Sequence, residues 1–171
     1  TNAADKLKGE DRQLVKLQVS RGKLQRAAQE AQELLSGRPW FEFLNSQFSI
    51  DFKQLDDDCK ALPQAIWQLS NRVVTLNYDR VLEWAHEEPT NLCVFDNSNL
   101  TQLAEFARTS DQEMLWHLHG KIEHPEHMVL TPQSYHRLYQ ENAEEYYEAA
   151  LSKFREVVSN KTLLFIGCSL D

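Results

Sequence analysis

The sequence is poor in the residues on which small secreted scaffolds and membrane proteins depend. Its three cysteines, Cys59, Cys93 and Cys168, are widely spaced and never form a CxxC pair, which argues against a disulfide framework and a zinc ribbon. No apolar run approaches the roughly 20 residues of a membrane span, and no basic start precedes an apolar core. We therefore expect a protein of the reducing cytoplasm, neither secreted nor inserted in a membrane.

The chain also has fewer basic residues than acidic ones. Eighteen Lys and Arg stand against 26 Asp and Glu, which gives a net charge of −8. A chain without a broad positive field cannot hold phosphate backbones by counterion release, so we expect no direct nucleic-acid partner. With 171 residues, 42% of them hydrophobic, the composition predicts a single globular domain over residues 1–171.

The first part of the chain has helical patterning. Apolar residues recur at three-, four- and seven-residue steps over residues 11–35, and Gly37, Arg38 and Pro39 follow. A short aromatic helix and a helix over residues 61–69 come next. The aromatic residues of the first, Trp40 and Phe43 among them, suit a core, although an oligomer interface is an alternative.

Strand and helix patterns alternate in the rest of the chain. Short β-branched or apolar runs predict strands at residues 73–76, 92–95, 114–119, 128–130 and 162–166. Between them, helical spacing covers residues 78–86, 100–107, a segment opened by Thr131 and Pro132, and residues 143–158. This order predicts an α/β, Rossmann-like parallel sheet with helices on both faces, and the run at 162–166 suits its central strand.

Polar residues fall where three of these strands end. Ligands of an open parallel sheet bind outside the carboxyl ends of the strands, so these residues are candidates for a site. They offer an amide, an imidazole and a small-residue turn, which suits a nucleotide-sized ligand. The candidates are Asn77 and Asp79 after the first strand, His119 and Gly120 after the third, and Gly167 and Ser169 after the last.

Four segments in this order resemble the successive signatures of the sirtuin-like domain of bacterial NAD-consuming proteins. They are TLNYD at 75–79, HLHG at 117–120, Leu130-Thr131 with Tyr135, and LFIGCSLD at 164–171. The resemblance implies NAD binding on a Rossmann-like sheet. It assigns no chemistry to Thr131 and Tyr135.

The resemblance also implies a role for each matching residue. His119 resembles the catalytic histidine, and Asn77 the amide that holds the ribose and the attacking water. Asp79 lies beside that amide, while Gly167 and Ser169 resemble the turn that contacts the ribose and phosphate of the nucleotide.

The sequence departs from the family pattern in two places. The family's Gly-rich phosphate loop has no counterpart here, so we expect it upstream of residue 1 and the domain to be incomplete. Residues 121–135 contain no cysteine, whereas protein-deacetylating sirtuins carry a four-cysteine zinc ribbon there. The resemblance thus favours the NAD-hydrolysing branch, often active in antiphage defence, with nicotinamide and ADP-ribose as products and no metal. The parent protein is expected to form homo-oligomers or to carry an additional effector or sensor domain.

The chemistry of this reaction suits the candidate residues. Cleavage of nicotinamide from NAD passes through an oxocarbenium-like ribosyl species, and its leaving group already carries positive charge. The remaining task is to position water and remove a proton, for which a neutral histidine is suited. We therefore interpret His119 as the base and Asn77 as the residue that orients the water.

Each of these residues also has a purely structural interpretation. His119 can end a strand, Asn77 can cap the following helix, and Asp79 can be a first-turn acid. Residues 167–169 can form a plain turn in which Cys168 is structural.

Three further functions stay open. His117 and His119 alternate along a strand, and Glu123, His124 and His127 follow, so a metallohydrolase is conceivable. Against it, no further Asp or His is placed by the sequence to complete the shell, and Pro125 suggests an exposed loop. The other class is a non-catalytic module that senses NAD or ADP-ribose or drives oligomerisation, and an NAD-dependent protein deacetylase is a third possibility.

Overall fold

A computed structural model describes residues 7–48, 56–108, 111–140 and 145–167 and shows a parallel sheet between helices. The elements in chain order are α1 (Gly9–Ser20), α2 (Leu24–Leu35), α3 (Gly37–Phe48), α4 (Asp57–Leu69), β1 (Arg72–Thr75), α5 (Val81–Trp84), β2 (Cys93–Asp96), α6 (Leu100–Phe106), β3 (Met114–His117), a 3-10 turn (Pro125–His127), α7 (Pro132–Tyr139) and α8 (Glu145–Asn160).

Strand β3 lies at the centre of the sheet, which has the order β1-β3-β2. Both pairings are parallel, and at the carboxyl ends of the strands Thr75, His117 and Asp96 lie side by side. All four residues of β3 are buried. Burial on both faces is typical of parallel sheets, which explains why the sequence of this strand does not alternate between apolar and polar residues.

Helices cover both faces of the sheet. Met114 and Trp116 pack with α6 and α8 in a cluster that includes Phe106 and Ala150. Leu115 points to the opposite face, where it joins Val73 and Leu92, with Ile66, Trp67 and Leu82 packed around them. The predicted α/β sheet with helices on both faces is therefore confirmed.

The N-terminal helices form a separate core with the loop that follows β3. Their buried side chains pack against Ile122 and Met128; they include Val15, Ala27, Ala31, Trp40 and Leu44. Trp40 is thus a core residue, as the sequence favoured.

The apolar period over residues 11–35 predicted one helix, and this is wrong. Gly22 adopts a φ of +71° and separates α1 from α2. The Lys23 N–H donates to the Gln18 carbonyl and the Gly22 N–H to the Val19 carbonyl, which together form a Schellman motif. Because the apolar period continues through both helices, it does not reveal the break at Gly22.

Two predicted strands do not form. At residues 128–130, the Val129 N–H donates to the His119 carbonyl and the Tyr78 hydroxyl donates to the Val129 carbonyl, so a turn and a side chain take the place of a ladder. At residues 162–166, only Leu163 packs against the sheet core, whereas Leu164 and Phe165 are 71% and 54% exposed. A hydrophobic run becomes a central strand only where neighbours bury both of its faces.

In the described part of the chain, no helix combines the length and apolar character needed to cross a membrane.

Gly120 makes the turn at the end of β3 possible. Its φ is +82°, and a Cβ added there would lie 2.6 Å from the backbone oxygen of His127. No L side chain fits this position without displacing the backbone that folds over it.

We predict that Gly120→Ala lowers the free energy of unfolding by about 2–4 kcal/mol, since it combines left-handed strain with a backbone clash. Gly22→Ala is the matched control, because its φ is similar but its Cβ would meet open space. That control should cost about 1 kcal/mol. Urea unfolding measures both, and equal losses would show that the His127 backbone yields freely.

Candidate functional site

The ends of β1 and β3 bring two predicted site residues to one edge of the sheet. Thr75 and His117 are register partners, and Asn77 and His119 each lie two residues further along. Because neighbouring parallel strands lie about 4.8 Å apart, the ends of β1 and β3 place both residues at this edge of the sheet.

His119 is buried among tyrosines. Its side chain belongs to a residue only 5% exposed, and its Nε2 lies 2.8 Å from the Tyr139 hydroxyl. The ring of Tyr135 packs edge-on against it at 5.2 Å between centroids. Burial lowers the pKa of His119 to about 4, so the imidazole is neutral at pH 7.

Asn77 is held by its backbone. Its N–H donates to the Thr75 hydroxyl at 3.1 Å, and its carbonyl accepts a bond of 2.9 Å from His117 Nδ1. The residue itself is exposed, so its amide is accessible at the edge of the sheet. Sequence reasoning weighed His117 as a metal ligand, whereas the structure makes it a positioning residue for Asn77.

A charged pair lies behind His117. Glu83 is 8% exposed; its Oε2 accepts a 2.9 Å bond from Arg80 Nε, and its Oε1 lies 3.7 Å from His117 Nε2. Burial acts to raise the pKa of Glu83, but the attraction of His117 and Arg80 outweighs it and holds the pKa below its ordinary value. The carboxylate therefore stays ionised and faces the His117 ring, although Glu83 Oε1 and His117 Nε2 form no hydrogen bond with each other.

Asp79 has a local structural task. Its Oδ1 accepts from the Val81 N–H at 3.0 Å, which stabilises the start of α5. The predicted helix over residues 78–86 is reduced to this single turn, so Asn77 does not cap it. Whether Asp79 also contacts a nucleotide stays a prediction.

The other two predicted nucleotide contacts are Gly167 and Ser169. Gly167 follows the segment at 162–166, has a φ of +69° and is exposed. Ser169 lies outside the described residues, as does Cys168. Their roles stay predictions.

The histidines proposed as one metal shell separate into two groups. His117 binds Asn77 and faces Glu83, and His119 binds Tyr139. His124 and His127 instead come together with Asp96, and one ligand atom from each of the three lies within 4.8 Å of the others. The sequence placed no further Asp or His beside these two histidines, whereas in the structure the loop folds over the end of β2, so Asp96 meets them.

Two residues of the edge were missed in the sequence, and each had a usable signal. Tyr139 lies four residues after Tyr135 on α7, which places both on one helix face. Asp96 ends β2 next to His117. It is a polar residue directly after an apolar strand, which is the same signal that identified Asn77.

An apolar groove with a volume of about 310 Å³ is lined by α1–α3 and Leu130, with Val15, Ala27 and Phe43 among its residues. His119 and Asn77 do not line this groove.

An α/β domain that gathers an amide and a neutral imidazole at the carboxyl ends of parallel strands belongs to the class of nucleotide-binding sheets. A sequence model of the SIR2-like domain matches residues 71–171. The chain therefore belongs to the SIR2-like domain family, as its motifs indicated. Such domains bind NAD, and membership indicates an NAD-dependent activity. No solved structure matches the chain.

The low pKa of His119 predicts a specific dependence of stability on pH. Between pH 6.5 and about 4 the unfolded chain binds a proton that folded His119 does not, so acid favours unfolding. This contribution is complete above pH 6.5 and is lost as the pH falls toward 4, up to about 3 kcal/mol.

Urea unfolding of the wild type and His119→Gln across this range measures the effect, and the difference between them should change with pH. His136→Gln is the control, because His136 is exposed on α7. Parallel curves for wild type and His119→Gln would contradict a buried neutral imidazole.

Proposed function

We propose that the protein is an NAD glycohydrolase that cleaves NAD to nicotinamide and ADP-ribose. The observation that carries this proposal is the position of His119, neutral and adjacent to the Asn77 strand end, within a SIR2-like domain. The absence of cysteine from residues 121–135 also favours hydrolysis over deacetylation, since it leaves no zinc ribbon in that segment.

The reaction needs no strong acid. The bond between ribose C1′ and the nicotinamide nitrogen breaks with its electron pair moving to the nicotinamide, and a water oxygen bonds to C1′. The water becomes strongly acidic as it joins a cationic carbon, so a base with a pKa of about 4 suffices to take its proton. His119 then returns the proton to solvent, while the Asn77 amide orients the water.

In the present conformation the Tyr139 hydroxyl occupies the hydrogen-bonding direction of His119 Nε2. A substrate water must take that position. Tyr139 is 48% exposed on α7, so its side chain has room to turn toward solvent.

The enclosure of His119 also favours a second candidate function. A domain that binds NAD without cleaving it would sense the nucleotide for the rest of the parent protein or drive its oligomerisation. The resemblance to bacterial NAD-consuming proteins supports the cytoplasm as the location and antiphage defence by NAD depletion as the role.

We predict that His119→Ala lowers nicotinamide release from NAD by about 10²–10⁴-fold in the intact parent protein, the range typical of a lost general base. His136→Ala should retain wild-type release. Release that needs an acetyl-lysine peptide would instead identify a deacetylase.

NAD binding without release by the wild type would identify the sensing module. In infected bacterial cells, NAD depletion that requires His119 would support the defence role. Unchanged release in His119→Ala would remove this residue from the chemistry.

The pH profile of kcat/KM offers an independent check. Because kcat/KM reports the free enzyme, its acid limb should fall near pH 4, in line with the pKa of His119, and not near pH 6.5. An acid limb near pH 6.5 would mean that the base is a different group or that His119 is solvated before NAD binds.

A further inference from the structure

A second cluster of chemistry-bearing residues lies at the end of β2, apart from His119 and Asn77. Asp96 Oδ2 is 3.5 Å from His124 Nδ1 and 3.7 Å from His127 Nδ1. The Asp96 side chain is 3% exposed, and those of His124 and His127 are 45% and 28% exposed. The three residues join the central sheet to the loop that follows Gly120.

Two of the facing atoms have no hydrogen-bond partner. Asp96 Oδ1 accepts from the Ser98 N–H and hydroxyl, but Asp96 Oδ2 and His127 Nδ1 are both buried and unsatisfied. Buried polar atoms are rarely left in this state, so each calls for a partner. A carboxylate oxygen unpaired in a side chain 97% buried is the stronger of the two signals.

The spacing fits a metal ion better than a hydrogen bond. An N–H···O bond would bring these atoms to about 2.7–3.2 Å. Tetrahedral zinc, with bonds of about 2.0–2.2 Å to nitrogen and oxygen, separates its ligand atoms by about 3.4 Å. The two separations from Asp96 Oδ2, 3.5 and 3.7 Å, match that edge within a few tenths of an ångström, and the ligand atoms of all three residues lie within 4.8 Å of one another.

We propose that Asp96, His124 and His127 bind a divalent transition-metal ion, with Zn²⁺ as the preferred ion and water at the fourth position. Two imidazoles and one carboxylate are a ligand set that zinc uses in proteins with one position left open. The site takes its ligands from two parts of the chain, so the ion fastens the loop at 121–128 to the end of β2.

This role agrees with the construction of the loop. The turn at Gly120 brings the His127 backbone back against it, and the 3-10 turn Pro125–His127 places both imidazoles on the side of Asp96. The Val129 N–H then bonds to the His119 carbonyl. A metal ion at Asp96 therefore holds the segment that returns to the backbone of His119. The proposal goes beyond NAD hydrolysis and does not depend on it.

The test is metal binding by the chelator-treated, dialysed chain. Calorimetric titration with Zn²⁺ should show one ion per chain, and Co²⁺ should give the visible absorption of a low-symmetry site with nitrogen and oxygen ligands. Zn²⁺ should also raise the thermal unfolding midpoint, because an ion that binds only the folded state stabilises it.

Three variants remove one ligand each: His124→Gln, His127→Gln and Asp96→Asn. Each should lose more metal affinity than the about 10- to 100-fold that follows loss of an outer-shell partner. Asp96→Asn keeps an oxygen for the bonds from Ser98, and His136→Gln, an exposed histidine on α7, is the control that should bind like the wild type.

Several results would overturn the proposal. A folded wild type that takes up neither Zn²⁺ nor Co²⁺ would show that these three residues do not form a metal site. Affinity unchanged in all three variants, or lost equally in His136→Gln, would place the ion elsewhere. If Asp96→Asn fails to fold by circular dichroism, His124→Gln decides the matter, because that side chain is nearly half exposed.

Discussion

The structure depends on the burial of β3 between two parallel neighbours. Its four residues pair on both edges and are covered on both faces, so their side chains serve two cores at once. Trp116 shows how strictly this is arranged: its indole N–H donates to Asn97, whose own amide donates to the Leu118 carbonyl. These two bonds satisfy the Trp116 indole N–H and fix the direction of the chain at the carboxyl end of β3. The direction of the chain at that end sets the positions of His117 and His119.

Much of this arrangement follows from the sequence. β-branched and apolar runs predicted all three strands of the described sheet, and the residues predicted for the site after two of them, Asn77 and His119, lie at the ends of β1 and β3. The Thr131 and Pro132 pair was sufficient to place α7, since Thr131 forms a capping box with Ser134. Strands and helix caps are local features, so the sequence of the segment itself is enough to predict them.

The predictions that failed concerned residues whose environment depends on contacts between distant segments of the chain. The run at 162–166 has the composition of a central strand, but nothing in its own residues shows that Leu164 and Phe165 remain exposed. Asp96 meets His124 and His127 because the turn at Gly120 reverses the chain, and Tyr139 reaches His119 because α7 packs across the edge. A local sequence pattern cannot predict these contacts, because they depend on the topology of the fold. The sequence pointed to candidate charged and imidazole side chains one at a time. Only the fold shows which residues they contact.

The packing of the N-terminal helices against Ile122 and Met128 has a consequence for how the chain folds. Ala31 and Trp40 lie far before Ile122 and Met128 in the chain, so the contacts between them require closure of a long loop. Such contacts form slowly compared with local helix formation. The helices around Gly22 can therefore pack against each other first, and their core is completed only when β3 and its turn are in place.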